Sequence, residues 1–282
     1  MIEKFEFDVS DEGVSLLILA AIHGNETAGT HACHKILQEI SDGKLNLKKG
    51  KVTIVPICNP EAYRKDVRCI EENLNRVMTM HETPKTYEQK LANEICPLIK
   101  SHRVMLDLHS THCKGDVPFA FCDYLDEYNS KILDGLNVGY VLEGWPDIYD
   151  NQDEIGSFST EGTAHAYGNI GTTLECGYHK DKHAVDLAYQ AIISTLAAFE
   201  MIDADALPTY PKKHIQMKKF VLKTKEGKLC KEYKHLDEIA KGEIIAKYDD
   251  GETLVAEENC YILLPNLNAQ IGAEWYYIGT AK

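Results

Sequence analysis

Short apolar runs alternate with helical patterns over residues 14–202, and this alternation constrains the fold more than any other feature of the chain. The runs at 16–22, 51–58, 104–108 and 171–174 read as strands. Asn59-Pro60 is a turn signal that stops the second of them. Between the runs, apolar residues recur at helical spacing. Residues 27–40 place Ala28, Ala32, Ile36, Leu37 and Ile40 on one face, and residues 87–99 do the same with Leu91, Ile95, Leu98 and Ile99. A further apolar helix is expected over 187–202. Strands alternating with helices predict an α/β domain with a central sheet that is at least partly parallel.

The pattern changes near Asp203. Residues 204–213 contain Pro208 and Pro211 with mixed polarity, as a linker would. Short runs follow at 220–222, 244–246, 253–255 and 261–264, separated by turn signals such as Asp250-Gly251 and Pro265-Asn266. They predict a small β-rich domain. The expected division is a catalytic domain over 1–205 and a β-rich domain over 214–282. Lys212-Lys213-His214, with Lys218-Lys219, reads as a solvated linker face.

The formal net charge is −14, and a surface this acidic repels phosphate backbones and anionic lipid. Nucleic acid and membrane partners are therefore not expected. A small anionic substrate stays compatible, because a pair of arginines can reverse the field locally. The nine cysteines are scattered without a Cys-x-x-Cys pair, which fits reduced thiols in a cytoplasmic protein. The N-terminus lacks the basic region and apolar stretch of a signal peptide. The run at 14–22 falls well short of the roughly 20 residues that span a bilayer.

Chemistry-bearing residues fall at or just past the ends of three strand-like runs. The first run leads into His23-Gly24-Asn25-Glu26, the third into His109, and the last into Glu175. In open α/β sheets, ligands bind beyond the carboxyl ends of the strands. Two His and one Glu gathered there supply the three protein ligands of a hydrolytic zinc site, with a fourth position left for water or substrate. Such a metal turns water into a nucleophile near neutral pH and polarises the scissile carbonyl. A carboxylate beside it, a role that suits Glu175, can take the proton from water and pass it to the leaving nitrogen. The polar segment 59–76 adds Arg68, placed to stabilise an oxyanion, and Asn75 and Arg76, placed to hold a substrate carboxylate. On composition alone, a solvated loop with surface arginines is the favoured reading.

His23-Gly24-Asn25-Glu26, Asn59-Pro60, Arg68 seven residues before Asn75-Arg76, Asp107-Leu108-His109 and Glu175 together resemble the succinylglutamate desuccinylase/aspartoacylase family, a branch of the zinc carboxypeptidase fold. The resemblance covers nearly the whole chain. It implies a carboxypeptidase-like α/β domain with a mixed sheet flanked by helices, followed by a smaller C-terminal β-rich domain that shapes the site entrance. It implies one zinc ion per subunit on His23, Glu26 and His109, with Glu175 as general base and acid. Arg68 would polarise the acyl carbonyl, and Asn75 and Arg76 would anchor a carboxylate. The implied substrate is a small anionic N-acyl amino acid, cleaved at its amide bond. A homo-oligomer stays open.

Two positions depart from the family pattern. Its Asp-Leu-Asn-Arg stands here as Asn73-Leu74-Asn75-Arg76, so residue 73 brings no negative charge to orient Arg76. Aspartoacylases carry a substrate-binding Arg ten residues before the catalytic Glu, and here that position is His165, which binds an anion only when protonated. The terminal Trp275-Tyr276-Tyr277 resembles the family's end, where a Tyr reaches the substrate; Tyr276 aligns best and Tyr277 nearly as well, and a core aromatic cluster is the more common use of such a run. His112 and His179 lie near the motif residues but are expected outside the ligand set. Two other readings remain: a metallocarboxypeptidase acting on short peptides, and a zinc-binding module without catalysis.

Overall fold

The computed structural model describes residues 2–149, 158–204 and 208–282. These residues group into two compact units, one from 1–141 with 152–212 and the other from 142–151 with 213–282. Part of the expected linker, 205–207, lies outside the described residues, and with it the expected domain limit at 205.

In chain order, the elements up to the linker are β1 (Phe5–Asp8), β2 (Ser15–Ala20), α1 (Ala28–Ser41), β3 (Lys51–Val55), α2 (Pro60–Lys65), α3 (Tyr87–Ser101), β4 (Val104–Thr111), β5 (Phe119–Phe121), α4 (Glu127–Gly135), β6 (Tyr140–Glu143), α5 (Trp145–Tyr149), α6 (Thr160–Ala166), β7 (Ile170–Tyr178) and α7 (Lys182–Ala198). A single 3-10 turn, Leu74–Arg76, interrupts the long loop after α2. The first unit is built on strands in the order β1-β3-β2-β4-β7-β5. β2 pairs in parallel with β3 and β4, and β4 with β7, whereas β1 and β5 run antiparallel to their neighbours. The sheet is mixed and helices cover both faces.

β2 shows why. Successive side chains of a strand point to opposite faces, and nearly every residue of this one is buried. Leu16, Ile18 and Ala20 enter a core with Ala32 and Ile36 of α1 and Ile192 and Leu196 of α7. Leu17 and Leu19 enter a second core with Leu91, Ile95 and Ile99 of α3 and Ala164 of α6. Burying a Leu or Ile side chain is worth about 1.5–3 kcal/mol relative to leaving it exposed, so a strand apolar on both faces is driven to the middle of the sheet.

The element limits differ from the sequence reading for local reasons. β3 stops at Val55 rather than running to residue 58, because Pro56 has no N–H to give the ladder. β4 and β7 run on past their apolar stretches, so His109 and Glu175 lie inside strands. The last helix spans Lys182–Ala198 rather than 187–202: Asp181 caps its start through His183 N–H at 3.0 Å, and Glu200, at φ 54°, turns the chain away after its end.

The second unit holds β8 (Lys213–Leu222), β9 (Gly227–Leu229), β10 (Asp237–Ile239), β11 (Ile244–Tyr248), β12 (Thr253–Val255), β13 (Cys260–Leu263) and β14 (Glu274–Ala281). Its pairings β8-β14-β13-β10 and β12-β11-β9 are antiparallel. Ile239, Ile245, Tyr248, Ile262, Trp275 and Tyr276 form the core. The expected linker face at 212–214 is corrected here. β8 begins at Lys213, and His214 is half-buried with Nδ1 against Glu143 Oε1. Lys218 and Lys219 do face solvent.

Among the described residues, no cysteine forms a disulfide. Among the described residues, no helix is long and apolar enough to cross a membrane.

Candidate functional site

The chain leaves β2 through Ala21, whose φ of +48° is unusual for a residue with a side chain. Cys58 N–H to Ala20 O at 2.9 Å and Asn59 N–H to Ala21 O at 3.0 Å hold that turn. His23 and Glu26 then close a tight loop through Glu26 N–H to His23 O at 3.1 Å. Only glycine fits at position 24, because a Cβ there would lie 2.1 Å from the backbone of Ala62 in α2. Asn59 caps that helix by accepting from Ala62 N–H at 3.3 Å, with Pro60 at its first position. Gly24 N–H donates to Arg68 O at 3.1 Å, which ties the loop after α2 to the same turn. On the neighbouring parallel strands, His109 of β4 and Glu175 of β7 are register partners.

The His23 and His109 rings meet edge to face with centroids 5.0 Å apart. The carboxylate of Glu26 sits between them: Oε1 is 2.8 Å from His23 Nδ1 and Oε2 is 3.0 Å from His109 Nδ1. One ligand atom from each of the three residues falls within 4.8 Å of the other two. All three are buried, at 3%, 5% and 2% exposure for His23, Glu26 and His109.

The far nitrogens explain why these atoms converge. His23 Nε2 lies 2.9 Å from Asn73 Oδ1. That atom also receives the backbone N–H of Asn75 at 2.9 Å, so it is an acceptor and the His must donate to it. His109 Nε2 lies 2.9 Å from Asp107 Oδ2, which accepts the Thr160 hydroxyl as well, at 2.6 Å. With Nε2 donating in both rings, Nδ1 is the nitrogen of each ring that could hold a metal. Metal-binding histidines are oriented by such acceptors.

The two imidazoles differ in charge. Burial, helped by Arg68, lowers the His23 pKa to about 4 and leaves a neutral ring. For His109 burial pulls downward too, but Asp107 and Glu26 outweigh it and raise its pKa well above the ordinary range. Burial works against the Glu26 charge, yet His23 and His109 hold that carboxyl well below its usual value. Arg68 Nη1 donates to Glu26 Oε1 at 3.1 Å and Ser110 N–H to Oε2 at 3.1 Å. Burial and then the Glu26 carboxylate push Glu175 up to about 8, with His109 and Arg68 opposing.

Several enclosed polar atoms here have no hydrogen bond: His23 Nδ1, Asn25 Oδ1, Asp107 Oδ1, Ser110 Oγ, Glu175 Oε2 and His179 Nδ1. Buried polar groups are normally satisfied, and a cluster of exceptions asks for an explanation. The contact between His23 Nδ1 and Glu26 is close in distance without hydrogen-bond alignment. Two lone pairs aimed at a shared point would look the same. The donor set of two imidazoles and one carboxylate fits a divalent metal.

The other sequence candidates are spread differently. Asn75 Oδ1 accepts from Thr160 N–H at 2.8 Å and so fixes the start of α6. Arg76, in the same 3-10 turn, donates from Nη1 to Asn75 O at 2.9 Å. His165 is exposed in the last turn of α6, with its ring stacked on Tyr124 at 3.6 Å. Tyr276 is 2% exposed in the core of the second unit, so its expected contact with substrate gains no support from this position. Sequence reasoning missed the part played by Asn73. It weighed residue 73 against Arg76, whereas its side chain serves His23. Asp107 was legible in principle, because residues two apart on a strand share a face.

A model of the succinylglutamate desuccinylase/aspartoacylase catalytic domain matches residues 12–198. Succinylglutamate desuccinylase of Pseudomonas fluorescens is 33% identical over 190 residues, a match covering 60% of this chain and just 56% of that protein. The structure of succinylglutamate desuccinylase from Vibrio parahaemolyticus superposes with a TM-score of 0.77 at 18% identity, over 100% of this chain and 92% of that one. The product-bound ectoine utilisation protein EutE (DoeB) of Ruegeria pomeroyi gives 0.76 at 20% identity, over 99% and 89%. The catalytic-domain match spans about two thirds of the sequence, including every residue of the buried cluster, and the chain belongs to the succinylglutamate desuccinylase/aspartoacylase family.

Proposed function

We propose that this protein is a zinc-dependent deacylase that hydrolyses the amide bond of a small N-acyl amino acid. The observation that carries this reading is the pinning of both imidazoles, by Asn73 and Asp107, so that two Nδ1 atoms and the Glu26 carboxylate converge beside Glu175. His23, Glu26 and His109 would hold the ion. Zinc bound there supplies a Lewis acid and makes a water acidic enough to ionise near neutral pH.

The remaining work belongs to the chain's own side chains. Glu175 keeps part of its surface open while Oε2 is enclosed, and it takes a proton from the attacking water and returns it to the leaving nitrogen. Its raised pKa suits both halves of that task. Arg68, half-exposed and anchored on Glu26, offers its fork to the acyl oxygen as negative charge develops. Asn75 and Arg76 hold a substrate carboxylate. His165 presents an exposed imidazole that an anion can reach.

A panel of acetyl, succinyl and other N-acyl amino acids, given to zinc-loaded protein, tests the reading. At least one should be cleaved. Glu175→Gln should keep one zinc per chain and lose turnover by about 100- to 10,000-fold. Cleavage of peptides alone would favour a carboxypeptidase, and undiminished activity in Glu175→Gln would take that residue out of the mechanism.

A further inference from the structure

Arg68 and Asn73 both reach the buried cluster, yet the stretch that carries them, 66–73, is neither helix nor strand. One carboxylate organises it. Glu88, in the first turn of α3, has 0% exposure. Its Oε1 accepts from Ile70 N–H at 2.7 Å and from Asn59 Nδ2 at 3.3 Å. Its Oε2 accepts from the N–H groups of Glu71 at 3.2 Å and Glu72 at 3.3 Å. Four donors converge on two oxygens, a demand that a carboxylate meets and an amide does not. The brace is reciprocal, since the carboxylate of Glu71 accepts from Tyr87 N–H and that of Glu72 from the Thr86 hydroxyl, both at the start of α3. Arg68 therefore stands between two anchors: its own carbonyl on Gly24, and the clamped residues 70–72.

We propose that Glu88 is a positioning residue of the active site: it clamps three consecutive backbone N–H groups to α3 and so fixes where Arg68 and Asn73 meet Glu26 and His23. The catalytic half of this inference rests on the deacylase reading; the clamp itself does not. Holding α3 in place needs no such device, because Leu91, Ile95 and Ile99 already bury that helix in the core. An enclosed carboxylate without these donors would be costly, and their spacing serves the loop.

The test combines amide hydrogen exchange with a double-mutant cycle. In Glu88→Gln, which keeps the side chain's size, exchange at residues 70–72 should quicken while the amides in the middle of α3 keep their protection. kcat/KM should fall on the order of 100-fold, the scale of a misplacement near 1 Å. Arg68→Ala should also reduce it, and the loss in the double variant should fall well short of the product of the two single losses, because both changes remove the same positioned guanidinium. Unchanged exchange at 70–72, or losses that multiply fully, would overturn the proposal. If Glu88→Gln does not fold, Glu88→Asp keeps the charge one methylene short, and the same two readouts apply. A wild-type protein inert toward every acyl amino acid would defeat the deacylase reading alone. The exchange experiment would still decide whether the clamp exists.

Discussion

Buried carboxylates meet histidine in both units of this protein, and the two meetings are built differently. In the second unit, Glu143 has His214 Nδ1 at one oxygen and Lys282 Nζ at the other. Each oxygen already faces a cationic or donating group, and the His214 side chain is 35% exposed. In the first unit, Glu26 lies between two imidazoles whose side chains are 4% and 2% exposed. There the far nitrogen of each ring is tied to a fixed acceptor, and unsatisfied atoms remain inside. Among the described residues, only the arrangement in the first unit, His23, Glu26 and His109, gathers three side chains that could hold a metal ion. A lysine completes the ion pair in one, whereas rings held from behind by fixed acceptors would suit a metal in the other. Closeness of His to Glu does not separate the two; the partner behind the ring does.

The sharpest break of this contrast is to remove one ring from each cluster. His109→Ala should abolish stoichiometric zinc and all turnover. His214→Ala should leave both at wild-type levels. Metal analysis after dialysis, with an activity assay, reads the outcome. Zinc lost from the His214 variant would mean the two clusters had been told apart wrongly.

Proton binding should separate them next. Between the ordinary carboxyl value of 4.5 and about 8, folded Glu175 keeps a proton that the unfolded chain has released. The contribution of Glu175 to the stability of the zinc-free protein should therefore fall as pH rises through that window, and the difference between the wild-type protein and Glu175→Gln isolates it from the opposite contribution of His23 below 6.5. His109, also raised, must give up a proton before a metal can take its place, so zinc affinity should weaken as pH falls. Thermal melts of zinc-free protein from pH 5 to 8, and zinc titrations over the same range, would expose either sign if it is wrong.

The acceptors behind the rings offer a smaller effect. Asp107→Asn and Asn73→Ala should each cost about 10- to 100-fold in zinc affinity, measured by competition with a chelator. Asn73→Asp should act in the opposite direction, because a carboxylate makes the imidazole it holds more basic. Equal affinity in all three would break the argument that pinned tautomers make the site.

Much of this was legible in the chain. The runs of β2 and β4 and the spacing of α1 and α3 follow side-chain patterning directly, so the sheet and its helices could be read from apolar residues. His23, Glu26, His109 and Glu175 could be read because function places them where apolar runs end. What escaped is what backbone pairing and long-range contacts decide. The extension of β7 through Glu175 to Tyr178 depends on β4 and β5 beside it, and polar side chains give no sign of it. Asn73 serves a His fifty residues away, and Glu88 serves the N–H groups of a loop, which have no side-chain signature. His214 passed for a linker residue because its partner, Glu143, lies 71 positions upstream.

That last pair supplies the mildest prediction. Removing the His214 ring should cost about 1 kcal/mol or less, the range of a partly exposed pair. Glu143 is enclosed, with 10% of its side chain exposed, but it keeps Lys282 on its other oxygen. The space left by a ring already 35% exposed also admits solvent to the oxygen it leaves. Urea unfolding of His214→Ala measures the loss. A penalty of about 3 kcal/mol or more would be that of an uncompensated buried charge. It would show that Lys282 does not hold Glu143 alone, and that the second cluster depends on its histidine as closely as the first.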